Sequence, residues 1–253
     1  MWTRNARGKA WRSCGLKPVM ASGLIKRFGS SNVLRGVSFE VERSEIFGLI
    51  GPNGAGKTTT LRILATILRP DAGDAVIMGH SVRDEPDEVR RNIAYLPEDA
   101  GVYRHLTGLE FLSFVAGVHG VDRRCVEEGA EIAGLGEALR KPMGSYSKGM
   151  RRRIMIAAIL MLRPRVAILD EPTSGLDVIH AVHVRERIRR FARESGGTVI
   201  VSSHNMLEIE YLCDRIAFIN GGRIIAEGRP EELKAEHRAE NLEEVFAKLM
   251  GAA

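Results

Sequence analysis

The 253-residue chain contains no glutamine and only seven asparagines. Both amides are heat-labile and depleted in heat-adapted proteins, so a thermophilic source is one expectation. Cysteine is scarce as well. Cys14, Cys125 and Cys213 are odd in number, scattered and in no metal-binding spacing. That excludes a disulfide framework and points to a reducing compartment. No apolar run approaches the ~18 residues that span a bilayer, so any membrane role has to come through a partner or a surface contact. Acidic residues are missing from residues 1–18, which hold Arg4, Arg7, Lys9, Arg12 and Lys17. Those five account for the whole net charge of +5 and leave 32 basic against 32 acidic residues in the body. A neutral body argues against nucleic acid as a partner. The tail has no apolar segment of the signal-peptide kind. It reads as a disordered arm, with an anionic-surface anchor or residues upstream of a start at Met20 as alternatives.

What the chain does have is concentrated in one stretch. Gly51-Pro-Asn-Gly-Ala-Gly-Lys57-Thr58 satisfies the phosphate-loop pattern G-x-x-x-x-G-K-[ST]. Three glycines let the backbone curl so that several N–H groups converge on one anion. Pro52 cannot donate, whereas Gly54, Ala55, Gly56, Lys57 and Thr58 can. Lys57 offers a compact positive charge for the outer phosphates, and Thr58 a hydroxyl for Mg²⁺. Gly51, Asn53, Gly54, Ala55, Gly56, Lys57, Thr58 and Thr59 are therefore the candidate nucleotide contacts. The buried strand expected at Glu45–Ile50 and the helix expected at Thr58–Ile67 supply the strand–loop–helix context that the motif requires, and the helix adds the positive end of its dipole.

The remaining pattern is of alternating strands and helices. Strands are expected at Met20–Phe28, Val37–Val41, Asp74–Met78, Ile93–Leu96, Val166–Leu169 and Thr198–Ser203, with a hairpin of Arg215–Asn220 and Arg223–Glu227. Asp71–Gly73 reads as a turn. Thr107 and Glu110 form a capping box opening an apolar helix through Gly117. Ser147 begins a basic helix to Leu162, and Val178–Ser195 reads as a long helix ended by Gly196-Gly197. Residues 99–163 thus form a helical insertion in an α/β fold with a parallel sheet, whose ligands bind beyond the carboxyl ends of the strands.

A second group of residues falls at such an end. Asp170 and Glu171 follow an apolar strand. Asp170 is a natural Mg²⁺ ligand or outer-shell partner beside Thr58, and Glu171 is placed to orient or deprotonate an attacking water.

Over residues 20–250 the chain resembles the nucleotide-binding subunit of an ATP-binding cassette (ABC) transporter. The resemblance rests on ordered motifs: the loop, Tyr146-Ser147-Lys148-Gly149-Met150 at the family signature, Asp170-Glu171, and Ser174-Gly-Leu-Asp177 at the D-loop. His204 matches the switch histidine, Phe28 the aromatic that stacks on adenine, and Glu98 the usual Q-loop glutamine. Two departures are plain: Lys148 and Met150 within the signature, and a carboxylate at Glu98. That combination resembles the exporter branch that includes antibiotic and drug efflux ATPases.

The resemblance implies a phosphate-loop NTPase cassette with a parallel core sheet, an N-terminal antiparallel β part and a helical signature subdomain at about 99–163, all within an ABC domain of residues 19–253. It implies ATP and Mg²⁺ as cofactors, with Glu171 and His204 catalytic and Thr58, Glu98 and Asp170 around the metal. Phe28, Ser147, Gly149 and Asp177 join the loop in holding nucleotide. It implies a second cassette, docked head to tail, and a separate permease on the cytoplasmic face of the membrane. The segment 98–118, with Tyr103, Leu106, Phe111 and Phe114, is the expected permease contact. A soluble ABC ATPase acting on nucleic acid or protein assembly is the alternative.

Overall fold

A computed structural model describes residues 17–251. The chain opens with β1 (Val19–Phe28) and β2 (Ser31–Val41), followed by β3 (Ile46–Ile50) and α1 (Lys57–Leu64). Next come β4 (Ala72–Ile77), β5 (His80–Ser81), α2 (Pro86–Asn92) and β6 (Ile93–Leu96). A helical segment of α3 (Gly108–His119), α4 (Arg123–Ala133) and α5 (Lys148–Leu160) then intervenes, with two short 3-10 turns before α5. The core resumes with β7 (Val166–Asp170), α6 (Val178–Ser195), β8 (Thr198–Ser203) and α7 (Met206–Leu212). It closes with β9 (Arg215–Asn220), β10 (Arg223–Gly228), α8 (Pro230–His237) and α9 (Leu242–Leu249).

The strands form two sheets. The first is antiparallel, in the order β2-β1-β4-β5; the second runs β10-β9-β3-β8-β7-β6. Its five strands from β9 to β6 are parallel, and only the edge strand β10 is antiparallel. Every residue of β3, β7 and β8 is buried, which is why their apolar residues run consecutively rather than alternating, with polar residues only at strand ends. The two sheets meet through a shared core in which the rings of Phe39 and Phe47 stack with centroids 5.2 Å apart. The opposite face of the parallel sheet is covered by Val184, Ile188 and Phe191 of α6, Ile209 and Leu212 of α7, and Val245 of α9. A third cluster, including Phe111, Leu112 and Ile154, holds α3, α4 and α5 together.

Several boundaries differ from expectation. β2 starts six residues before Val37, because Gly36 at φ +100° and shifts in register break the period-two pattern of its first half. α1 stops at Leu64 rather than Ile67, ended by Thr66 in the left-handed region at φ +60°. Ala72 and Gly73 belong to β4 instead of a turn. A Cβ at position 73 would fall 2.1 Å from the carbonyl oxygen of Gly23, so this close strand crossing requires glycine. The expected arm lies outside the described residues as far as residue 16. Its last two residues are held: Lys17 pairs with Glu40 and Glu42, and the Pro18 carbonyl accepts the Met78 N–H at 2.8 Å.

Candidate nucleotide site

The site is built where β3, β7 and β8 end together. β3 delivers the chain to Gly51, whose missing side chain is obligatory: a Cβ there would lie 2.1 Å from the Ile219 carbonyl oxygen. Gly56, at φ +112°, turns the chain into α1 and serves as its N-cap. The Thr60 hydroxyl donates back to the Gly56 carbonyl at 2.9 Å and fixes this turn. The first N–H groups of α1 have no partner within the helix and face an incoming anion. Ala55 differs from expectation, since its N–H closes the loop's own turn onto Pro52 at 3.2 Å. Asn53 and Gly54 are exposed at the loop's crest, and Thr59 is half-buried beside Thr58.

The Lys57 side chain is buried and folds over the loop. Its Nζ donates to the Gly51 carbonyl at 2.7 Å and stands 3.5 Å from Glu171 Oε1. Asp170, fully buried, accepts from Thr58 Oγ1 at 3.2 Å and from Ser202 Oγ at 2.5 Å. Tyr95 OH approaches its other oxygen at 3.5 Å; burial and then the Asp170 charge raise the Tyr95 pKa, so the phenol stays a donor. Glu171 carries its side chain from a backbone at φ +48°, a left-handed conformation that costs a non-glycine residue about 1–3 kcal/mol. Its N–H donates to Ser202 Oγ at 3.0 Å, and its Oε2 meets His204 Nδ1 at 3.0 Å. Opposite a carboxylate, Nδ1 is the donor, leaving Nε2 for another partner. Five sequence-predicted residues (Lys57, Thr58, Asp170, Glu171 and His204) are thus joined in one group, Thr58 to Asp170 and Glu171 to His204 by hydrogen bonds, Asp170 to Glu171 through Ser202, and Lys57 to Glu171 by an ion pair.

Other predicted residues fall elsewhere. Phe28, 47 % exposed, ends β1, with Lys26 Nζ 5.6 Å from its ring centroid. The partner strand β2 leans on the loop, since Arg35 N–H donates to Gly222 and Gly222 N–H donates to Ala55. Glu98 has an exposed side chain that makes no hydrogen bond or ion pair among the described residues; only its carbonyl is engaged, by Arg152. Ser147 caps α5 by accepting the Met150 N–H at 3.2 Å. Gly149 packs under the His180 ring, and Lys148 Nζ lies over Gly175, where a Cβ would be 2.0 Å away. Asp177 caps α6 and holds His180 Nδ1 at 2.6 Å. Hydrogen bonds from the His180 backbone and then its ring keep the Asp177 carboxyl below the usual range. This signature cluster shares no hydrogen bond with the phosphate loop among the described residues.

The sequence reading missed three residues. Tyr95 and Ser202 reach Asp170 from neighbouring strands, and Ser202 stands opposite it in the parallel register. Arg152 is buried beneath the site. One signal was available: helical spacing puts Arg152 on the same face as Ile156 and Leu160, both buried.

The donor set fits Mg²⁺ and nucleotide. A hydroxyl and a carboxylate 3.2 Å apart are the hard oxygen ligands this cation takes, beside a backbone cradle and a lysine suited to phosphates. The family model described as "ABC transporter" matches residues 34–174, more than half of the chain. The chain belongs to the ABC transporter family.

Among relatives, it is 41 % identical over 223 residues to the daunorubicin/doxorubicin resistance ATP-binding protein DrrA of Streptomyces peucetius, covering 87 % of this chain and 67 % of that protein. It is 36 % identical over 219 residues to the linearmycin resistance ATP-binding protein LnrL of Bacillus subtilis (strain 168), covering 85 % of this chain and 70 % of the relative. A solved structure described as the ATP binding subunit of an ABC transporter superposes with a TM-score of 0.82 at 30 % identity, spanning 92 % of this chain and 99 % of the other. This ABC protein is an ATP-binding subunit and an ATPase. It takes ATP with Mg²⁺. Among the described residues no helix is long and apolar enough to cross a membrane.

Proposed function

We propose that this subunit drives export of an antibiotic- or drug-like compound from the cytoplasmic face of the membrane, hydrolysing ATP at sites shared between two cassettes. The observation that carries the hydrolytic reading is the convergence of Lys57, Thr58, Asp170, Glu171 and His204 at the ends of three buried strands. Lys57 and the N–H groups of the loop and α1 hold the phosphates. Thr58 and Asp170 are the residues to hold Mg²⁺, which supplies charge neutralisation on the outer phosphates. Glu171 takes the attacking water as base or orienting group, with His204 fixing its carboxylate. Phe28 offers its exposed ring to adenine. Ser147 and Gly149, at the helix start of α5, serve the nucleotide of the opposite subunit, and Asp177 orders the adjoining loop. Glu98, exposed in this structure, is the third residue that would serve the metal.

The export reading is supported by the relatives' drug-resistance roles and by Glu98 with the Tyr146–Met150 signature. The permease contact is supported by an apolar patch of Tyr103, Phe114 and Val118, rimmed by exposed Arg104 and His105. Phe111, expected to belong to it, is instead core. Affinity capture from solubilised membranes tests the reading. It should retain one polytopic membrane protein whose deletion raises cellular accumulation of the exported compound. Recovery of only ribosomal or soluble partners would overturn it.

A further inference from the structure

Arg152 is 8 % exposed and has no carboxylate partner among the described residues. Its guanidinium donates only to main-chain carbonyls. Nε reaches Pro172 at 2.9 Å; Nη2 reaches Asp170 at 2.5 Å and Glu171 at 2.8 Å. Nη1 reaches Pro97 at 2.9 Å and Glu98 at 3.1 Å. One side chain therefore joins α5, the end of β7 and the segment leaving β6. Burial lowers its pKa, only partly offset by the charges of Asp170, Glu98 and Glu171, and the guanidinium remains a cation as arginine does.

Two of these bonds flank the strained residue of the site. Glu171 sits at φ +48°, with its N–H held by Ser202 on one side and its carbonyl held on the other by Arg152 at 2.8 Å and by the Ser174 N–H at 3.1 Å. Left-handed backbone at a residue with a side chain persists only where its surroundings over-determine it. Without Arg152 this carbonyl keeps only the longer bond from the Ser174 N–H, so the peptide is freer to relax toward extended geometry, which would swing the carboxylate away from His204. The bonds to Pro97 and Glu98 add a second consequence. The segment that leads into the candidate permease patch, and the helix that Ser147 begins, are tied to the same peptide.

We infer that Arg152 is a positioning residue for hydrolysis: it clamps the strained Glu171 backbone opposite Ser202 and makes the carboxylate's placement depend on α5 and on the segment at Glu98. The inference rests on the reading of Glu171 as the residue that acts on the attacking water. Phosphate binding comes from the loop and Lys57, which Arg152 does not touch. Its loss should therefore appear in kcat and not in KM, and a displacement of ~1 Å suffices for a loss of about 10²-fold.

The test uses the full chain with Arg152→Gln, Arg152→Lys, Arg153→Ala and Glu171→Gln, measuring steady-state hydrolysis, equilibrium ATP binding and Tm. Arg153 is the matched control. Its guanidinium also caps carbonyls, those of Ala133 and Gly134 at the end of α4, but it touches neither β7 nor Glu98. Arg152→Gln should lose about 10²-fold in kcat with KM and Kd within about twofold of wild type. Arg152→Lys should recover under a tenth of wild-type kcat (on the order of the loss above), because a single ammonium with three donors cannot span both segments. Arg153→Ala should lower Tm with kcat within about threefold, a change expected of a merely structural carbonyl cap.

Arg152→Gln that folds and turns over like wild type overturns the inference, as does an equal kcat loss in Arg153→Ala at matched Tm. If Arg152→Gln is not recovered folded, Arg152→Lys decides by the same criteria. Wild-type turnover by Glu171→Gln would instead remove the reading of Glu171, whereas an inactive Glu171→Gln beside a fully active Arg152→Gln removes only the role of Arg152.

Discussion

At the residue scale, Lys57 and Glu171 are 3.5 Å apart yet are proposed for different steps. Lys57→Ala removes the cation that the phosphates meet, so ATP binding itself should fall below detection in an equilibrium binding assay. Glu171→Gln keeps the loop and the side-chain volume but removes the proposed base. It should bind ATP with near wild-type affinity and lose 10²–10⁴-fold, roughly, in turnover. Equal binding losses in the two variants would contradict this division. The loop and the Asp170-Glu171 pair were legible in the sequence because their chemistry is local: eight consecutive residues, and two carboxylates at the end of an apolar run. Helical spacing marks Arg152 as core-facing, but the partners of Arg152 and Ser202 were not legible, because they lie 18 to 55 residues away in the chain and only the strand register and the seat of α5 bring them together.

At the element scale, α6 links the lobe of α3 to α5 with the sheet. His183 on α6 meets the Ile132 carbonyl at 3.2 Å, close to the end of α4. Burial, then the nearby Arg153 charge, push its pKa down from the usual 6.5. The unfolded chain therefore binds this proton more tightly than the folded one. The His183 contribution is intact above about pH 6.5 and falls as the pH drops below it. Tm measured at pH 7.5 and 5.5 should fall less in His183→Gln, which keeps a donor for Ile132, than in wild type; identical falls would refute the assignment. Elements with an unbroken period were readable to the residue, as at Val178–Ser195, Thr198–Ser203 and Ile93–Leu96. Where a left-handed glycine or a strand crossing intervenes, as at Gly36 and Gly73, local pattern failed because tertiary approach sets the geometry.

At the scale of the whole molecule, the candidate site is divided. The loop cluster holds Lys57, Thr58, Asp170, Glu171 and His204, while Ser147, Gly149 and Asp177 form a second cluster at the starts of α5 and α6. Arg152, five residues into the helix that Ser147 caps, connects the two. The exposed patch of Tyr103, Phe114 and Val118 lies downstream of Glu98, on the segment that Arg152 also grips. Phe114→Ser should weaken retention of the membrane partner on affinity capture while leaving ATP binding unchanged; unaltered retention would move the contact elsewhere.

The central claim, that each ATP is held between the loop of one subunit and the signature of another, is tested most directly by the mass of Glu171→Gln in solution, measured by light scattering with and without saturating Mg·ATP. The expected mass is that of one chain without nucleotide, two with it, and one again when Ser147→Arg is added to block the signature. An unchanged single-chain mass at ATP concentrations that saturate binding would contradict it.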